Sequence, residues 1–300
     1  MIYTLTMNPS LDYVMEIDTL TVGQMNRSQN TYLLPGGKGI NVSMVLKELE
    51  MPSIAILPVA GFTGEKLLKM MEEKGVEYEA IEIACGNTRI NVKVLGNQET
   101  ELNADGPNLS EEEKEILFDR IKQLSEDDYL ILSGSVPKAL GDNFYADIMK
   151  LLMEKEVNII LDTTGENFKN ALMYQPFLVK PNQSELETFF GMKADSKEML
   201  TDMAEKIRAL GAKNVLVSLG DKGAFLLTEK GQIYWQTAPN GKVKNTVGAG
   251  DSMVAGFVAE YIQSKDMKKA LQQGIAAGSA SAFSKNLATK EEIDALMKNL

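Results

Sequence analysis

The sequence contains no histidine and a single cysteine, Cys85. The first absence removes imidazole bases, histidine-centred triads and histidine metal ligands. The second excludes an intrachain disulfide and fits a reducing compartment; together they leave no thiolate or imidazole set for zinc. Acid–base chemistry near neutral pH therefore falls to a carboxylate, a lysine, a tyrosine or water. Also missing are a basic, apolar leader in MIYTLTMNPS and any run of the roughly 18 to 20 apolar residues that a membrane span requires. The expectation is a cytoplasmic protein. Positive charge is scarce: 31 Lys and Arg against 42 Asp and Glu leave a net charge of −11. That balance argues against nonspecific nucleic-acid binding. A few basic residues gathered in a cleft still suffice for an anionic substrate.

The 300 residues are 44% hydrophobic and 24% charged, a globular composition long enough for one large α/β domain with an appendage or for two domains. Short apolar, β-rich runs predict core strands at Ile2–Met7, Ser53–Val59, Tyr129–Ser133, Val157–Asp162, Phe177–Lys180, Val215–Leu219 and Ala224–Thr228. Helical patterns lie between them at Gly39–Glu50, Gly64–Lys74, Ser110–Leu124, Asp142–Lys155 and Ser196–Leu210, and helix resumes after residue 250. This alternation predicts a mostly parallel sheet covered on both faces. Two regions break it. Asp12–Leu34 holds strand-like pieces without a helix, and Thr88–Asn103 alternates polar and apolar residues around Gly96-Asn97, as a hairpin does. They are expected to form a small sheet outside the main domain; the alternative is a pair of surface hairpins without a role.

The strongest chemical signal is NTVGAGDS, Asn245–Ser252. Gly248 and Gly250 flank Ala249, Asp251 follows, and an apolar helical run comes next. Glycines let backbone N–H groups converge on an anion. A helix start adds unpaired N–H groups and the positive end of its dipole. The loop suits phosphate oxygens, with Asp251 within reach of whatever it holds; the plainer reading makes Asp251 an N-cap behind a glycine turn. GGKGIN, Gly36–Asn41, lacks the spacing of a P-loop. It suits close backbone approach to a polyhydroxylated ligand, with charge from Lys38 and paired donor and acceptor from Asn41, or else a glycine-rich helix start. KPNQSE, Lys180–Glu185, and SLGDKG, Ser218–Gly223, each follow a buried strand. Ligands of open α/β sheets bind beyond the carboxyl ends of strands. Lys180, Asn182 and Glu185 thus lie where a nucleotide phosphate and a hydrated Mg²⁺ are held, although either loop alone also reads as a turn. A GxGxxG dinucleotide fingerprint is absent.

Together, GGKGIN and NTVGAGDS resemble the two signatures of the PfkB, ribokinase-like, carbohydrate kinases. The order TLTMNPSLD, GFTG, SGSVP, KPNQSE, SLGDKG, TVGAGDS is similar to that family over nearly the whole chain. TRINVK at Thr88–Lys93 and ELNADGP at Glu101–Pro107 look most like its 1-phosphofructokinase branch, with tagatose-6-phosphate kinases next. The resemblance implies a ribokinase-like three-layer α/β/α core with a mostly parallel sheet, residues 1–11, 36–87 and 104–300, and a β lid of residues 12–35 and 88–103. It implies sugar contacts from Asp12, Gly37, Lys38 and Asn41, and a grip by Arg89 and Arg27 on a phosphate already on the sugar. It places ATP over Ser218, Gly220, Asp221 and Gly223 and over the Val247–Gly250 loop with Ser252. Lys180, Asn182 and Glu185 fall at the phosphate and Mg²⁺ end, Glu185 acting through water. Asp251 is the implied base, with the amides of Val247, Gly248, Ala249 and Gly250 as anion hole. Met44 stands where relatives often carry a basic residue, and only a changed helix surface is expected from it.

The implied reaction is ATP-dependent phosphorylation of a ketose phosphate, fructose 1-phosphate to fructose 1,6-bisphosphate, with tagatose 6-phosphate as the alternative acceptor. A homodimer through the lid is implied, with neither nucleic-acid nor membrane partners. A noncatalytic sugar-phosphate-binding regulator is the competing class, but such a protein has no need of a base beside an anion hole. A nucleoside or vitamin kinase has no need of a lid guanidinium such as Arg89.

Overall fold

Alternating apolar runs and amphipathic segments sort into two sheets and their covering helices in the computed structural model, which describes residues 1–300. The chain opens with β1 (Ile2–Leu5), β2 (Ser10–Glu16), β3 (Asn30–Gly36), α1 (Lys38–Glu48), β4 (Ser53–Val59), α2 (Gly61–Glu73) and β5 (Glu77–Glu82). It continues through β6 (Arg89–Leu95), β7 (Glu99–Leu102), α3 (Glu111–Ile121), β8 (Tyr129–Ser133), α4 (Phe144–Leu152), β9 (Asn158–Asp162), α5 (Gly165–Ala171), β10 (Leu178–Val179) and α6 (Gln183–Phe190). The remainder is α7 (Lys197–Ala209), β11 (Asn214–Ser218), β12 (Ala224–Leu227), β13 (Ile233–Gln236), α8 (Ala249–Ser264), α9 (Met267–Phe283) and α10 (Lys290–Met297). No helix is long and apolar enough to cross a membrane.

Nine strands form the large sheet in the order β13-β12-β11-β10-β9-β8-β1-β4-β5. Pairing is parallel from β5 through β11 and antiparallel at β12 and β13. Every residue of β8, YLILS, is buried, as expected for a strand covered on both faces. Successive side chains point to opposite faces. Leu130 and Leu132 therefore enter the core beneath α3, α4 and α7, while Tyr129 and Ile131 enter the core beneath α1, α8, α9 and α10. These two cores make the molecule three-layered. Two strands and two helices go beyond the sequence reading. β5 (EYEAIE) and β13 are edge strands, where glutamates and mixed polarity mask the apolar pattern. α5 and α6 have only 7 and 8 residues, too few to show a helical period.

The small sheet has the order β3-β2-β6-β7. β2 pairs antiparallel with β3 and parallel with β6, and β6 turns through Gly96-Asn97 into β7. Its register sets Ser10 opposite Arg89 and Asp12 opposite Asn91. Thr88 fastens the start of β6 to the core: its Oγ1 accepts from Ala60 N at 2.9 Å, and its carbonyl accepts from Thr63 Oγ1 at 2.7 Å. Met44 is half-buried against the cluster between α1 and α2, so it packs inward as well as facing the helix surface.

Candidate active site

A cleft of about 1020 Å³ opens beyond the carboxyl ends of the parallel strands and is roofed on one side by the small sheet. Its floor is the start of α8. Gly248 is the N-cap, with φ 77, a left-handed conformation that favours glycine, and a Cβ there would also press on Leu287 Cδ2 at 2.5 Å. Asp251 stands in the first turn, 5% exposed, and its Oδ2 accepts from Asn41 Nδ2 at 2.8 Å. No side chain caps this helix, so the N-cap alternative for Asp251 does not hold. Burial, reinforced by the negative charge of Asp162, pushes the Asp251 carboxyl up to about 6, against the opposing pull of Lys38, Asn41 and Lys180.

With Asn91 and Lys93, which line the cleft, Asp162 is one of the site residues that sequence reasoning missed. It ends β9, is 2% exposed, and lies 3.3 Å from Lys38 Nζ and 3.4 Å from Lys180 Nζ. Burial raises its pKa, but Lys180 and Lys38 outweigh that and hold it below the usual carboxylate range. Lys38 shows the converse: burial opposes its charge, yet Asp162, Asp251 and Glu185 keep its pKa above the ordinary value. The available signal was an aspartate at the carboxyl end of a buried parallel strand, where α/β sheets bind ligands.

Other sequence expectations need revision in detail. Of the four amides from Val247 to Gly250, Val247 N already donates to Asn245 Oδ1 at 2.9 Å and Ala249 N to Thr246 O at 3.2 Å. The amides of Gly248, Gly250 and Asp251 have no partner and are the ones open to an anion. Ser252 does not face the cleft: it is wholly buried, donating to Gly248 O at 2.8 Å and sharing a 2.7 Å bond with Ser281 Oγ. Asn182 and Glu185 form a capping box at α6, with Asn182 Oδ1 and Glu185 Oε2 each accepting an amide at 2.8 Å. One Glu185 oxygen, Oε1, remains for other partners. Ser218 bridges to Asn182 at the end of β11, and Gly220, Asp221 and Gly223 line the cleft around a short 3₁₀ turn.

The small sheet supplies the opposite wall. Arg89 is half-buried; Nε and Nη2 donate to Asn8 O at 3.1 and 2.9 Å, and Nη1 to Ala104 O at 3.2 Å. It touches carbonyls and no carboxylate, unlike a surface arginine paired with an acid. Asp12 is clamped: Oδ2 meets Lys93 Nζ at 2.8 Å, and Oδ1 accepts from Ser10 at 2.7 Å and Asn91 at 3.2 Å. Gly37 and Asn41 line the same cleft, whereas Arg27 lies exposed outside its lining. Four buried side-chain atoms lack any partner, Thr6 Oγ1, Asn8 Oδ1, Asn91 Oδ1 and Ser133 Oγ, and all four residues line this cleft. Buried polar groups are normally paired, so each of these four atoms calls for a partner from an ordered water or a bound ligand. Beyond the strand ends, then, the site offers a buried acid, free amides and two lysines on one wall, and polar side chains with a guanidinium on the other.

A family model described as pfkB family carbohydrate kinase matches residues 5–294. The chain belongs to the pfkB family. It is 40% identical to the 1-phosphofructokinase of Bacillus subtilis (strain 168), across 99% of this chain and 97% of that protein. It is 35% identical to the D-tagatose-1-phosphate kinase of Bacillus licheniformis, across 98% and 96%. The crystal structure of phosphofructokinase-2 from Escherichia coli in complex with fructose-6-phosphate matches with a TM-score of 0.93 at 28% identity, covering 100% of this chain and 98% of that one. The ribokinase-like α/β fold, with a large mostly parallel sheet and a smaller second sheet, is therefore the pfkB fold expected from the motifs.

Proposed function

We propose that this pfkB kinase transfers the γ-phosphoryl group of ATP to the free primary hydroxyl of a ketose phosphate, with fructose 1-phosphate as acceptor and fructose 1,6-bisphosphate as product. The observation that carries the reading is Arg89 in the same cleft as Asp251. Its carbonyl bonds use three of the five guanidinium N–H groups, leaving two for a phosphate already on the sugar. Identity to a 1-phosphofructokinase supports the acceptor; D-tagatose 1-phosphate and tagatose 6-phosphate are the runners-up.

Phosphoryl transfer asks for positioning and charge stabilisation more than covalent chemistry. Asp251 Oδ1, left free by the Asn41 bond to Oδ2, accepts the hydroxyl proton as that oxygen attacks phosphorus. The amides of Gly248, Gly250 and Asp251, with Lys38 and Lys180, face the charge on the transferring group. Asn41 and Gly37 hold the acceptor end. The nucleotide lies toward Ser218, Gly220, Asp221 and Gly223. Nowhere do three acidic, histidine or cysteine side chains gather as a metal cage. A single free carboxylate oxygen on Glu185 fits Mg²⁺, which keeps most of its waters and neutralises phosphate charge when bound with the nucleotide. Residues 12–35 and 88–103 act as a lid that excludes water over residues 1–11, 36–87 and 104–300. Apolar Val22, Met25 and Leu102, 91%, 82% and 61% exposed on that lid, support a lid-to-lid homodimer. The need for ATP and the reduced Cys85 support a cytoplasmic enzyme.

The test is ADP release with Mg²⁺–ATP against a panel of ketose phosphates and free ketoses. The highest kcat/KM is expected with fructose 1-phosphate. Highest turnover with an unphosphorylated sugar would overturn the acceptor class, and binding without turnover would favour the regulator.

A further inference from the structure

The floor of the cleft is tied from below by a chain of buried hydroxyls. Gly248 O accepts twice from Ser252, from its N and from its Oγ, each at 2.8 Å. Ser252 Oγ lies 2.7 Å from Ser281 Oγ on α9, and Ser281 Oγ accepts from Ala288 N at 3.0 Å. Each hydroxyl has one proton. Ser252 gives its proton to a carbonyl, which can only accept, so the proton in the Ser252–Ser281 bond comes from Ser281. The relay therefore runs one way, from Ala288 N–H to Ser281, from Ser281 to Ser252, and from Ser252 to Gly248 O. Both serines are closed to solvent, 0% and 1% exposed. A helical serine often bonds the carbonyl four residues back. Here that carbonyl belongs to the N-cap, and the chain of bonds continues into a second helix and the loop before α10. Small residues let α9 come this close: a Cβ on Gly278 would lie 3.0 Å from Ala249 O, and one on Gly274 2.9 Å from Met253 O.

The relay holds one particular peptide group. The Gly248–Ala249 peptide is fixed at both ends, its carbonyl by Ser252 and its N–H by Thr246 O at 3.2 Å. The open amides lie on either side of it, Gly248 N just before, Gly250 N and Asp251 N just after. Gly248 and Gly250 have no Cβ to restrict rotation, so an untied stretch would sample many orientations. Donors stabilise developing charge most when their direction is set in advance. Resting on the function proposed above, we infer that Ser252 and Ser281 are positioning residues, whose hydroxyl relay sets the direction of the amides that receive the transferring phosphoryl group. Neither serine lines the cleft, so both act through the backbone.

The test measures Ser252→Ala, Ser281→Ala and the double variant with fructose 1-phosphate and Mg²⁺–ATP. Each is also titrated with Mg²⁺–ADP alone and with Mg²⁺–ADP plus aluminium fluoride, which stands in for the transferring phosphoryl group. Each single variant is expected to lower kcat about 3- to 30-fold, with both KM values and the Kd for ADP within about twofold of wild type. The Kd for ADP with aluminium fluoride should weaken by the same factor as kcat. The double variant should lose no more than the worse single variant, because one break already opens the relay. It also leaves neither hydroxyl orphaned, so it gives the answer even where a single variant fails to fold. A double variant with kcat within about twofold of wild type, whatever its Tm, would overturn the assignment and leave the serines as packing between α8 and α9. So would KM and ADP affinity worsening in step with kcat, or losses that multiply in the double variant. Wild type releasing no ADP with any ketose phosphate would instead sink the proposed function, and the two ADP titrations would still decide the relay.

Discussion

At the scale of single residues, the site depends on how burial and neighbours set charge. Asp251, with its pKa pushed up to about 6, carries a proton below that pH and cannot accept another. The kcat/KM for the acceptor should therefore fall about tenfold per pH unit as pH drops below 6. An acidic limb near 4, the ordinary aspartate range, would contradict this assignment. Asp251→Asn keeps the shape and loses the acceptor, so kcat should drop by about 10² to 10⁴ with sugar binding retained. Turnover within about threefold of wild type would remove Asp251 from the role. Arg89→Ala should cost roughly 2 to 5 kcal/mol in kcat/KM for the phosphorylated ketose and little for plain fructose. Arg89→Lys should recover only part of the loss, because one ammonium cannot reproduce the planar fork. Arg89 also ties Asn8 O to Ala104 O, so an equal loss on both sugars would reduce it to a brace for the small sheet.

At the scale of elements, α6 tests whether a capping residue also serves the nucleotide. Glu185→Gln keeps an acceptor for the Asn182 amide and removes the charge offered to Mg²⁺. It should raise the Mg²⁺ concentration for half-maximal rate several-fold, with Tm nearly unchanged. Asn182→Ala should cost about 1 kcal/mol of stability through the lost cap. An unmoved Mg²⁺ titration for Glu185→Gln would leave α6 with a structural role alone. Elements were legible in the sequence in proportion to their burial. Ser53–Val59 and Tyr129–Ser133 match their predicted bounds because buried parallel strands read as unbroken apolar runs. The hairpin of β6 and β7 was marked by alternation and by Gly96-Asn97. β5 hid behind its glutamates. Within the site, the glycine loop and Asp251 announced themselves through local spacing. Asp162, Asn91 and Lys93 did not, because their meaning comes from partners far away in sequence: Asp162 meets Lys38 across 124 positions, and Asn91 meets Asp12 across 79. No local pattern encodes such a meeting.

At the scale of the whole molecule, charge and association are linked. A chain of net charge −11 repels its copies, so a dimer must gain enough from apolar contact to offset that repulsion. Sedimentation at micromolar concentration should show dimers that tighten with added salt, and Val22→Asp with Leu102→Asp should yield monomers. A wild-type monomer at every salt concentration would remove the lid-to-lid assembly. The distance along the chain between the two halves of the site has a further consequence. Asn41 meets Asp251 across 210 positions. At a synthesis rate of about 5 to 20 residues per second, the acid leaves the ribosome roughly 10 to 40 s after its amide partner. The nascent chain can complete the strands through β13 before it owns an acid at the floor of the cleft. The acid proposed as the base is thus supplied only by the last helices to be translated, so a chain truncated before α8 should release no ADP from Mg²⁺–ATP and a ketose phosphate.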